Sequence, residues 1–85
     1  MKLDRKSISS SQCRAARALL NWSREELAAA SKVSRAAIAD FETDKRVVRE
    51  RTTDDLCFAL EAAGVEFIPA NGGGPGVRLR EDRGS

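Results

Sequence analysis

The sequence predicts a mainly α fold, four to five helices followed by a short C-terminal β-hairpin. Apolar residues recur at helical spacing in successive segments between Cys13 and Ala63. Each of those segments has a Ser or Thr near its start that is suited to cap a helix. Beyond Gly64 the pattern changes to short runs of β-formers around a glycine-rich loop.

Taken in order, Ser9, Ser10 and Ser11 offer hydroxyls that can accept the orphan amide protons of a first turn, and Cys13, Ala16, Leu19 and Leu20 supply the stripe of a helix over about 10–20. Asn21 tolerates left-handed backbone and ends it. Ser23 to Glu26 reads S-x-x-E, a capping box in which each side chain satisfies the other residue's amide. Trp22 before the cap and Leu27 at the fourth helical position form a hydrophobic staple. The second helix runs from Arg24 to about Ser31, apolar through Leu27, Ala28 and Ala30. Lys32 and Val33 break the pattern and Ser34 caps a new start. The third helix, over 35–42, then buries Ala37, Ile38 and Phe41 and leaves Arg35, Ala36, Ala39 and Asp40 outside. Thr43 to Arg51 is a polar, basic connection. Thr52 or Thr53 caps a fourth helix, with Asp54 and Asp55 complementing its dipole, Leu56, Ala59, Leu60 and Ala63 as its stripe, and Gly64 as its stop. Val65, Phe67 and Ile68, the turn region Pro69 to Gly76, and the alternation of Val77 and Leu79 with Arg78 and Arg80 make the hairpin. The organisation expected is a flexible basic arm over 1–9 bearing Lys2, Arg5 and Lys6, a helical domain over 10–64, a hairpin over 65–80 and a disordered polar tail over 81–85.

Composition removes several kinds of chemistry. The chain has 85 residues, 41% of them apolar and 33% charged, and only four aromatic side chains, so its core rests on Leu, Ile, Val and Ala. It contains no His, which excludes an imidazole base, a His-bearing zinc site and a His-based pH switch. Cys13 and Cys57 lie 44 residues apart and cannot form a four-thiolate metal site; their apolar helical settings read as buried free thiols. No metal, no cofactor and no enzymatic activity are expected. The loop Asn71 to Gly76 resembles a phosphate cradle only in its glycines, since no helix start and no Lys-Ser/Thr pair follow it. The start lacks a signal-peptide core and no run approaches the roughly 20 apolar residues of a membrane span, so a soluble, cytoplasmic protein with no membrane role is expected. The net charge is +2, but it divides into +5 over residues 1–35 and −3 over 36–85, a distribution suited to a positive face meeting a polyanion.

The most informative stretch is Ser23 to Glu42, two capped two-turn helices separated by a three-residue break. Helices so short need to pack across each other to be stable, which asks for a small residue at the crossing and apolar residues at fixed offsets. Ala28 is the small residue; Leu27, Val33, Ile38 and Phe41 are the apolar ones. This is the pattern of a helix-turn-helix, whose second helix is held outward to enter the major groove.

The run W-S-R-E-E-L-A-A-A-S-K-V-S-R-A-A-I-A-D-F-E resembles the Cro and phage-repressor class of helix-turn-helix regulators, with likeness from about Gln12 to Gly64. The later A-L-E-A-A-G-V-E-F-I with G-V-R-L looks like a small bacterial subgroup carrying a hairpin after the helices. The resemblance implies a lambda-repressor-like DNA-binding domain. Three positions depart from the family's pattern. Lys32 stands where the turn commonly has Gly, Asp44 and Val48 stand where the later connection has Gly and Pro, and Arg24 replaces a Gln that contacts phosphate.

Carried across by position, the resemblance implies base contacts from Arg35, Ala36 and Asp40, and Ala39 is a further candidate on chemical grounds. Arg donates twice to guanine, Asp accepts from the cytosine amine, and Ala meets a thymine methyl. Phosphate contacts fall to Ser23, Arg24, Ser34 and Lys45 or Arg46, while Arg17 and Glu42 match a structural salt bridge tying the first helix to the end of the third. The function implied is a sequence-specific transcriptional repressor or regulator that inserts residues 34–42 into the major groove of double-stranded DNA. It would act as a homodimer on a pseudo-palindromic operator, with the hairpin as the dimerisation element. The alternative is an antitoxin or adaptor that binds its own operator and a protein partner, a toxin or a polymerase component.

Overall fold

Four helices and two strands lie within residues 8–80, the part of the chain that a computed structural model describes. In chain order they are α1 (Ser10–Leu20), α2 (Arg24–Ser31), α3 (Arg35–Glu42), α4 (Glu50–Ala62), β1 (Val65–Ile68) and β2 (Gly76–Leu79). The basic side chains of the arm, Lys2, Arg5 and Lys6, and the tail over 81–85 lie outside the described residues. Ile8, two residues before α1, is buried in the core.

Local chemistry sets the boundaries of the first three helices. Ser9 caps α1 by accepting from the amide of Gln12, and the Gln12 side chain returns a bond to the Ser9 amide, a second capping box. Asn21 stops α1 in left-handed backbone at φ 59°. Ser23 and Glu26 form the reciprocal box of α2, with Glu26 Oε1 accepting from the Ser23 amide at 2.7 Å. Ser34 caps α3 by accepting from the amide of Ala37. Lys32 ends α2 at φ 66°, a left-handed conformation that a side chain with a Cβ adopts at a cost. Asp44 is also left-handed, at φ 57°, and its carboxylate accepts a hydrogen bond from Ser10 at 3.1 Å, tying the connection after α3 back to α1.

The fourth helix corrects the reading of its start. It begins at Glu50, with Arg49 at the cap position and no side-chain capping bond, so neither Thr52 nor Thr53 is the cap. Both threonine amides instead donate to the Arg49 carbonyl, inside the first turn. Asp54 and Asp55 therefore lie in the second turn, and Glu50 is the acidic residue of the first. Packing replaces capping here: Leu56, Cys57, Ala59 and Leu60 are buried along α4.

Helix faces differ from the expected stripes at the edges. Leu19 is exposed on α1, whereas Gln12 is buried; Ala30 is exposed on α2, whereas Ser31 is buried. Ser31 is accommodated because its hydroxyl donates to the Leu27 carbonyl and accepts from the Val33 amide, closing the turn between α2 and α3. On α4 Ala63 is the cap residue and Cys57 takes the buried place. The centre of the core is Cys13, Ala16, Leu27, Ile38, Leu56, Leu60 and Val65, with Ala28, Phe41 and Trp22 packed on its margin.

The hairpin is antiparallel, Val65 opposite Leu79 and Phe67 opposite Val77. Val65 and Phe67 point into the core, and the ribbon packs on α1 and α4. Gln12 fastens its mouth: the amide nitrogen donates to the Gly76 carbonyl at 2.9 Å and, at 3.4 Å, to that of Ile68. A two-stranded ribbon is marginal alone, and here the helices supply its support.

The exposed left-handed Lys32 generates a stability prediction. Lys32→Gly should raise the unfolding free energy by about 0.5–1 kcal/mol, since glycine takes this backbone freely. Urea denaturation of the two proteins measures it, and equal midpoints would mean that the turn stores no strain at this residue.

Candidate nucleic-acid interface

Two helix starts and one helix face make the candidate surface. The starts of α2 and α3 each begin with a serine cap followed by an arginine, Ser23–Arg24 and Ser34–Arg35. Free amides at such starts carry partial positive charge and favour a phosphate oxygen. Burial of Ile38, with Phe41 partly buried beside it, turns the other side of α3 outward. On that side Arg35 and Ala36 are exposed, and Ala39 and Asp40 are half-buried. Lys45 and Arg46 are exposed in the segment that follows α3.

The charged side chains of this surface are already engaged with one another. Arg35 Nε lies 2.7 Å from Glu25 Oε2, joining α3 to α2. Arg46 Nε donates to Asp40 Oδ2 at 2.9 Å, so the Asp40 carboxylate holds the arginine six residues further on. Glu25 is kept below the usual carboxylate range first by a bond from its own amide and then by the charge of Arg35.

Beneath the surface lies a carboxylate with no exposure, that of Glu42 at the end of α3. Arg17 donates to it from two nitrogens, Nη2 at 2.7 Å and Nε at 2.8 Å. Arg24 donates from Nε at 2.9 Å, and the Cys13 thiol donates at 3.2 Å. Arg17 also reaches the Trp22 carbonyl, and Arg14 donates to the backbone carbonyl of Glu42. The cluster joins α1, α2 and α3 at one point. Burial pushes the Glu42 carboxyl up, but the hydrogen bonds from Arg17, Arg24 and Cys13 outweigh it and hold the group below the usual range. Burial, followed by the bond to Glu42 and its negative charge, pushes the Cys13 thiol well above its ordinary value. Both cysteines are buried and neither forms a disulfide, and Cys13 is held protonated as a donor.

Arg17 and Glu42 thus meet, and Arg24, matched to a phosphate position, has one nitrogen committed to the same carboxylate. Ser23 and Ser34 cap their helices with their hydroxyls. Sequence reasoning missed four partners: Cys13 and Arg24 in the Glu42 cluster, Glu25 at Arg35, and Arg46 at Asp40. The S-x-x-Q spacing of Ser9 and Gln12 was a readable signal for the first cap, but nothing local announces an arginine shared across helices.

Short helices crossed in this way, with the second facing outward, define a helix-turn-helix DNA-binding domain. The helix-turn-helix family model matches residues 14–57, slightly more than half of the chain. The chain belongs to the helix-turn-helix family of Cro and phage-repressor type, and it is a DNA-binding regulator of transcription. No curated protein matches it. Among the described residues no helix is long and apolar enough to cross a membrane, and no group of His, Cys, Asp or Glu is placed to hold a metal ion.

The buried cluster predicts how stability depends on pH. Glu42 titrates lower in the folded chain than its unfolded value of about 4.3, so its contribution is full above that pH and disappears as pH falls through the folded value. Cys13 titrates higher in the folded chain than its unfolded value of about 8.5, so its contribution is full below that pH and disappears as pH rises further. Glu42→Gln should cost about 3 kcal/mol at neutral pH by leaving Arg17 and Arg24 without their counter-charge, and it should flatten the acid limb. Cys13→Ser should flatten the alkaline limb. Urea midpoints between pH 3 and 10 measure both; a variant whose profile runs parallel to the parent's would refute the assignment.

Proposed function

We propose that this regulator is sequence-specific, reads base edges with the outer face of α3 in the major groove, and acts as a homodimer on a pseudo-palindromic operator. The observation that carries the reading is the outward set on α3, Arg35, Ala36, Ala39 and Asp40, beside the exposed start of α2. Arg35 is the donor to guanine, Asp40 the acceptor from a cytosine amine, and the two alanines meet thymine methyls. Phosphates are held by the helix starts at Ser23 and Ser34 and by Arg24, Lys45 and Arg46. Lys45 is exposed and makes no ion pair among the described residues, which suits it to a phosphate. Lacking a large set of long donors on α3, the protein draws part of its preference from DNA shape.

Two-fold symmetry sets one α3 in each half-site, with centres about 34 Å apart along the duplex. We assign the pairing of protomers to the hairpin over 65–80. Its strands each keep one outer edge, and strand addition there needs no rearrangement of the helices.

Selection of bound duplexes from a random pool, with the stoichiometry of the complex measured, tests this reading. Arg35→Ala should relax preference at one base pair, at a cost of about 1–3 kcal/mol. Lys45→Ala should weaken binding to all sequences alike and lower the salt slope by about one ion. If the two variants lose affinity equally on selected and random duplexes, the division of roles is wrong; a one-to-one complex on a palindrome would remove the dimer.

A further inference from the structure

The pair between Glu25 and Arg35 joins two helix starts, the second residue of α2 and the first of α3. Electrostatics favours only one of the two positions. A carboxylate at a helix start complements the dipole, whereas a guanidinium there opposes it. The first turn of α3 contains no acidic residue of its own to compensate. Helix stability therefore does not account for Arg35. The ion pair does not account for it either, since both side chains are more than half exposed and such solvent-screened pairs contribute little to stability.

What the pair does supply is orientation. The Glu25 carboxylate stands at the capped start of α2, where first its own amide and then the charge of Arg35 favour its ionised form. It takes the Nε side of Arg35 at 2.7 Å. A guanidinium engaged through Nε keeps its two terminal nitrogens, and that end-on fork matches the O6 and N7 acceptors of guanine. The side-on approach, through Nε and one terminal nitrogen, is the one a phosphate could otherwise use, and the carboxylate occupies it. Its negative charge also stands on the surface that faces the phosphate backbone, where it opposes binding that is not repaid by a correct base.

We infer that Glu25 is a specificity-determining positioning residue, which presents the terminal fork of Arg35 to guanine and suppresses sequence-independent binding. The inference rests on the reading of Arg35 as a base contact and adds to it a residue that touches no base.

Binding isotherms at fixed salt, on the selected duplex, on its single base-pair variants and on random duplex, test it with Glu25→Ala, Glu25→Gln, Arg35→Ala and the Glu25→Ala/Arg35→Ala double variant. Glu25→Ala should reduce the preference at the base pair read by Arg35 about three- to tenfold, leave the other positions unchanged, and raise affinity for random duplex. Glu25→Gln, which keeps an oxygen acceptor without the charge, should retain more of that preference while raising random binding similarly. The double variant should show no further loss at that base pair beyond Arg35→Ala. A uniform gain in affinity on every duplex, with preference at each position intact, would overturn the inference and leave Arg35 as a base reader. Loss of no preference at all on Arg35→Ala would overturn both.

Discussion

A buried carboxylate holding two arginines and a thiol is the constraint on which the rest of the domain depends. Glu42 has no exposed surface and closes the end of α3 against α1 and α2. Moving a carboxylate out of water is expensive, and the attraction of its partners repays that only when every lone pair is well used. Here Arg17, Arg24 and Cys13 together occupy both oxygens. An apolar cluster of equal volume could be as stable, but it would carry no directional bonds. Directional bonds from two helices to a third fix where α3 lies, and a helix that enters a groove must be fixed to within a fraction of an ångström.

The same cluster reaches the surface. Arg24 is partly exposed, yet its Nε is bonded to the buried carboxylate, so one side chain links the core to the start of α2. A phosphate bound at that start would meet a guanidinium whose orientation is set from below. With Arg24 on a phosphate, as proposed, position on the DNA and position of α3 in the fold are coupled through one carboxylate rather than adjusted separately. Arg17, bonded to the Trp22 carbonyl as well, extends the coupling to the chain that leads into α2.

Much of this architecture is legible in the sequence because it is written locally. The S-x-x-E of Ser23 and Glu26, the cap at Ser34 and the stop at Asn21 act within one turn, and α1 to α3 begin and end where those residues place them. The edges of the helical faces are less legible, since an amphipathic stripe does not reveal when a polar side chain has a buried partner. Gln12 is buried because it serves a cap and the hairpin mouth together, and Ser31 because it closes a turn. The start of α4 escaped for a related reason: packing of Leu56, Cys57 and Leu60 carries the helix back to an uncapped Arg49, which no propensity signals. At the surface, residue type and spacing point to Arg35 and Asp40, but their carboxylate and guanidinium partners come from tertiary placement. Glu25 is ten residues from Arg35 across a turn, and only the crossing of α2 and α3 brings them together.

That self-pairing has consequences for how charge is used. A count of cations over residues 1–35 suggests a strongly attractive face, with a net +5. Yet Arg17 and Arg24 are compensated by Glu42, Arg35 by Glu25, and Arg46 further on by Asp40. In the complex proposed above, Arg24, Arg35 and Arg46 keep their carboxylates or exchange them for a phosphate or base, and an exchange releases less free energy than a fresh contact. Contacts without sequence preference then fall, on that reading, to the helix-start amides and to Lys45. Discrimination, on the same reading, falls to Arg35, whose terminal nitrogens meet guanine while its Nε side keeps Glu25. On the proposed reading, a surface built in this way trades raw affinity for a larger difference between right and wrong duplexes, which is the quantity a regulator of transcription must supply.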